Sequence, residues 1–152
     1  MIRAGEMNRR NRDDCIYTPG VTVVRADTED CEMLPETAWY MVDVATCAAP
    51  DLRCAPGDGE YAPDHAELMA VLEQRWRRIL ASAANAGADA LVLGAFGCGV
   101  FANPPEMVAE AFCRALAGYE RCFEEIEFAV WSREARGPNY RAFLALPGIR
   151  EI

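Results

Sequence analysis

A glycine-rich segment set between a short apolar run and a capped helix start constrains this chain most. Residues 94–105 read Gly94-Ala95-Phe96-Gly97-Cys98-Gly99-Val100-Phe101-Ala102-Asn103-Pro104-Pro105. Ahead of them, Ala90-Leu91-Val92-Leu93 reads as a buried strand. Behind them, Glu106 to Phe112 reads as an amphipathic helix, with Asn103 as N-cap, Pro104 in the first helical position and Glu106 completing the box. A glycine turn from a strand into a helix N-terminus gathers backbone N–H groups around one point, where the helix dipole favours an anion. The predicted occupant is a phosphate-bearing ligand. The spacing is G-x-x-G-x-G, not the dinucleotide fingerprint G-x-G-x-x-G. The purely structural alternative is a tight turn with Phe96 and Phe101 as core anchors.

Composition removes several rivals. A chain of 152 residues, 52% hydrophobic and 26% charged, predicts one soluble domain over 1–152 with a polar segment at 1–15. No apolar stretch is long enough to span a bilayer, and the first ten residues lack the apolar core of a secretory signal. The net charge of −9 argues against sequence-independent nucleic-acid binding. All 15 basic residues are Arg, so a Walker lysine and a Schiff-base lysine are both excluded. His65 is the only histidine, which excludes histidine triads and multi-histidine metal sites. Seven scattered cysteines, none in C-x-x-C spacing, predict reduced thiols and a cytoplasmic location. No metal and no cofactor are expected.

Periodicity supplies the order of elements. Thr18-Pro19-Gly20 is a turn signal, and residues 21–25 are a short strand. Residues 26–36 are acidic and loop-like, and residues 39–46 are apolar almost throughout, as a buried strand would be. A long Pro/Gly/Asp-rich loop fills 47–63. Asp64 and Glu67 form a capping box before a helix whose Leu68, Val71, Leu72, Trp76, Ile79 and Leu80 share a face; Gly87 stops it. Residues 88–93 are the third strand. Val108, Phe112 and Leu116 stripe the next helix, which Gly118 ends. Residues 125–131 alternate as a fourth strand, and 139–146 form a last helix. Strands separated by helices predict an α/β fold with a parallel or mixed sheet covered on both faces.

The other chemistry-bearing residues are weaker candidates. Asp43, inside a buried strand pattern, requires a hydrogen-bonding partner. Glu124-Glu125 reads as a solvated pair at a strand start. Cys98 sits where loop N–H groups would lower its pKa, but it has no neighbouring base.

Residues 91–105 resemble the signature loop of the microbial-type poly(ADP-ribose) glycohydrolases, a branch of the macrodomain superfamily. Residues 16–25, the turn Ala48-Ala49-Pro50-Asp51 (Asp51 replacing an Asn), Phe128-Ala129-Val130 and residues 139–143 extend the likeness over most of 15–146. The resemblance implies a three-layer α/β/α macrodomain that binds ADP-ribose or an ADP-ribosylated protein. It implies that Gly94 to Phe101 line the ligand, with backbone groups of Gly97, Cys98, Gly99 and Val100 on the diphosphate and Phe101 against a ribose. Pro50, Asp51 and Asn139, with the segment Trp131-Ser132, would border the nucleoside; Ser132 stands where the pattern has an acidic residue.

The family also carries a triple-glycine loop and a Gln-Glu-Glu segment whose glutamate is the acid/base at the ribosyl bond. This chain has no Gly-Gly-Gly, and its only glutamine, Gln74, is followed by Arg75. It is therefore expected to begin after the catalytic segment, to lack early strands and to hold no catalytic residue of the family's kind. Two rival functions stay open. One is a hydrolase using Asp51, Asp58 or Glu60; the other is an interaction protein in which the loop is only a turn. An exposed sheet edge would invite a homodimer or a partner chain.

Overall fold

The computed structural model describes residues 15–53, 63–132 and 134–151. The predicted polar segment up to residue 14, and Cys54, Asp58 and Glu60 of the long loop, lie outside the described residues. The elements follow the expected order: β1 (Cys15–Val23), β2 (Tyr40–Cys47), α1 (His65–Asn85), β3 (Ala90–Leu93), α2 (Pro105–Leu116), β4 (Glu125–Phe128) and α3 (Pro138–Leu144). A single 3-10 turn, Glu36–Ala38, precedes β2.

The strands form two two-stranded sheets: β1 and β2 pair antiparallel, while β3 and β4 pair parallel across α2. The α/β class and the mix of strand directions are as expected. Coverage of both faces is the part that the described residues do not supply. Leu91, Leu93, Ile126 and Phe128 pack against the helical core, whereas Val92 on the opposite face is 72% exposed. Strand alternation explains the division, since successive side chains point to opposite faces.

β1 starts at Cys15, six residues earlier than its apolar pattern suggests. The predicted turn at Thr18-Pro19-Gly20 is absorbed as a register shift between Thr18 and Val21, with Gly20 at φ +66°. Glycine tolerates that conformation without a Cβ clash. β2 corrects a second expectation. Its apolar residues are exposed, Met41 by 73%, because β1 is its only strand neighbour among the described residues.

The core lies among the helices. Leu68, Leu72, Trp76, Ile79 and Leu80 of α1 meet Val108, Phe112 and Ala115 of α2, and Phe143 of α3 closes the cluster. Asp64 caps α1 by accepting from the Glu67 N–H at 2.8 Å, as its capping box predicts. Trp76 Nε1 donates to Val108 O at 3.1 Å, satisfying a buried donor across two helices. Ring contacts then run from Phe96 to Trp76 at 5.1 Å, on to Phe112 at 5.2 Å, to Phe128 at 4.9 Å and to Phe143 at 4.9 Å. Each such pair adds about 0.5–1.5 kcal/mol beyond its buried area. One end of this ladder is the glycine loop, so the core itself anchors the loop.

Candidate ligand site

The loop between β3 and α2 is two consecutive turns. Cys98 N–H donates to Ala95 O at 3.0 Å, and Ala102 N–H donates to Gly99 O at 3.1 Å. Gly97 takes φ +72° inside the first turn, and Ala102 takes φ +58° at the end of the second. Asn103 N–H closes the loop on Gly97 O at 3.1 Å. The Cys98 N–H is thus engaged within the turn. The N–H groups of Gly97, Gly99, Val100 and Phe101 have no acceptor among the described residues. Gly99 and Val100 are exposed, and Phe101 is half-buried.

Asn103 is not the helix cap. Pro104 holds that position, Pro105 follows at the first helical turn, and no side chain caps the helix. Asn103 is instead 2% exposed, and its Nδ2 donates to Pro50 O at 2.8 Å and to Gly97 O at 3.0 Å. The side chain thereby cross-links two loops, supplying a donor to Pro50 O and a second donor to Gly97 O, in place of capping the helix. A Cβ on Gly97 would lie 2.5 Å from Ala49 Cβ and 2.5 Å from Asn103 Nδ2, so glycine is required by space as well as by φ.

The same braces join the two segments that the sequence nominates separately. Leu52 N–H donates to Phe101 O at 3.1 Å. Arg75, buried in α1, donates through Nη1 to Ala48 O. Pro50 and Asp51 therefore stand beside the glycine loop. Asn139 lies on a different element, the first turn of α3, which packs on α2. Phe96 serves as a core anchor on Trp76, as the structural alternative has it. Phe101 faces Arg53, whose Cζ lies 5.1 Å from the ring centroid.

Arg53 is the residue that sequence reasoning missed. Its Nε and Nη2 donate to the two oxygens of Asp51 at 2.8 and 2.6 Å, a bidentate fork. That hydrogen bond raises the Arg53 pKa above its usual value. The only sequence signal was an i, i+2 Asp-x-Arg spacing, too common to single out.

Cys98 departs from its expectation. Burial, with a smaller contribution from Glu106, pushes its thiol up to about 12, and Sγ points to Phe96 O at 3.6 Å. Desolvation opposes the thiolate that a nucleophile needs, contrary to the lowering expected from the loop N–H groups. Asp43 has the partners it requires: it accepts from Tyr17 Oη and from the Gly20 N–H at 2.8 Å. His65 and Glu124 are exposed. Among the described residues, no group of His, Cys, Asp or Glu could hold a metal ion, and the six described cysteines are free thiols. No described helix is long and apolar enough to cross a membrane.

The fold and loop together define an α/β chain of the macrodomain type, with a glycine cradle at the mouth of a parallel β-α-β unit. No protein-family model and no curated protein matches the sequence. Solved structures do. The poly(ADP-ribose) glycohydrolase of Deinococcus radiodurans, in complex with ADP-ribose, aligns with a TM-score of 0.75 and 34% identity over 90% of this chain and 53% of its own. That of Thermomonospora curvata, bound to the inhibitor ADP-HPD, aligns with a TM-score of 0.74 and 37% identity over 90% of this chain and 49% of its own. Over 90% of its length the chain is similar to microbial poly(ADP-ribose) glycohydrolases, and it spans about half the length of these relatives.

Proposed function

We propose that this chain binds ADP-ribose, free or attached to a protein, through its glycine loop. The observation that carries the reading is the set of N–H groups on Gly97, Gly99, Val100 and Phe101 that have no acceptor among the described residues, in a loop braced to the segment of Pro50 and Asp51. Backbone donors are suited to a diphosphate in a chain of net charge −9, because they attract an anion without a cationic cluster. Phe101 packs against a ribose, and Pro50, Asp51 and Asn139 border the nucleoside. The ADP-ribose complex of the Deinococcus relative supports the ligand class.

Hydrolysis makes a further demand. The ribosyl bond needs a positioned carboxyl group. The sequence holds neither a triple glycine nor Gln-Glu-Glu, and both Asp51 oxygens are engaged by Arg53. We therefore assign binding to these 152 residues. Thermal unfolding tests the binding reading: ligand at about 100 times Kd stabilises the fold by about 2.7 kcal/mol. A melting temperature unmoved by millimolar ADP-ribose would refute it. Release of ADP-ribose from a modified protein by this chain alone would favour the hydrolase reading instead.

A further inference from the structure

Arg53 lies against the candidate ligand ring, yet its charge is spent on Asp51. The guanidinium covers the Phe101 ring at 5.1 Å, and its fork is filled by a carboxylate at 2.8 and 2.6 Å. Arg53 is half exposed and Asp51 keeps 21% of its side-chain surface in solvent, so neither charge is fully buried when the fork opens. The segment carrying it is fixed to the loop through Leu52 N–H on Phe101 O and through Asn103 Nδ2 on Pro50 O. Its backbone therefore stays beside the cradle whichever anion it holds. A carboxylate and a phosphate offer the same pair of parallel acceptors to a guanidinium. We propose that Arg53 is the charged contact to the diphosphate of the bound ligand, and that Asp51 is the stand-in anion that holds Arg53 over Phe101 until the ligand displaces it. This rests on the ADP-ribose reading above.

Two consequences separate Asp51 and Arg53. Removing the charge from Arg53 costs a charge-assisted contact. Removing the charge from Asp51 deletes a competitor for Arg53. Calorimetric titration of the intact chain with ADP-ribose, at low and high ionic strength, reads both. Arg53→Gln, which retains a flat hydrogen-bonding side chain, is expected to weaken binding by roughly tenfold at low salt. The deficit shrinks at high salt, as screening demands. Asp51→Asn is expected to tighten binding several-fold, but only where Arg53 is present; in the double variant the gain disappears. Wild-type binding with Arg53→Gln within about twofold of it would overturn the role of Arg53 and leave the loop reading intact. Weaker binding in Asp51→Asn would overturn the stand-in role. No wild-type binding at all would overturn this inference and the ADP-ribose reading together.

Discussion

Gly97 and Gly99 are two residues apart, and the structure asks different things of them. Gly97 combines φ +72° with contacts of 2.5 Å to any added Cβ; Gly99 has nothing within 4 Å and no positive φ. Gly97→Ala should therefore cost roughly 2–4 kcal/mol, from a left-handed backbone plus overpacking. Gly99→Ala should stay within about 0.5 kcal/mol of wild type. Urea unfolding midpoints measure both, and equal losses would contradict the distinction. Cys98 provides a second check at this scale. With its thiol pushed up to about 12, it should resist alkylation near neutral pH, whereas the exposed Cys31 and Cys122 should react. Mass mapping of iodoacetamide adducts on the folded chain reads the order directly. Glycines and a helix start announced the loop from composition alone. The Asn103 bridge and the Arg53–Asp51 pair were not legible, because each depends on segments far apart in sequence meeting in space, or on a spacing with no distinguishing periodicity.

At the scale of elements, the helices were readable and the first sheet was not. Capping and apolar spacing in α1 specify both its start and its buried face, so local chemistry and tertiary packing agree. β1 and β2 are governed by a pairing that periodicity cannot express. The register shift at Thr18/Val21 leaves Tyr17 and the Gly20 N–H converging on Asp43. These hydrogen bonds lower the Asp43 pKa below its usual 3.8 and raise that of Tyr17 above its usual 10.0. The Asp43 contribution is present above the ordinary carboxylate range and is lost as pH falls through its depressed value. The Tyr17 contribution is present below its ordinary value and is lost as pH rises through its elevated one. Amide exchange in β1 should accelerate at both extremes, and Asp43→Asn should remove the acid limb of that profile. Identical acid limbs in the two proteins would assign the hairpin's pH response elsewhere.

At the scale of the whole molecule, the helical core and the loop are complete where the sheets are open. β2 and β3 each pair with one strand among the described residues, and Met41, Val42 and Val92 are exposed along or beside those edges. Unpaired edges with apolar side chains favour association with a second copy or a partner chain. Sedimentation should show an average mass that rises with protein concentration; a monomer at every concentration would contradict this. The net charge of −9 opposes such association, so added salt should promote it. The loop, by contrast, is anchored by the Phe96–Trp76 contact and the Asn103 bridges, none of which involves those edges. Its competence should therefore not wait on assembly. Titration calorimetry of the folded chain with ADP-ribose tests this most directly. A saturable heat at one site per chain, lost in Gly97→Ala, is the expected result. No heat at millimolar ligand from a chain whose helices are intact by circular dichroism would contradict it.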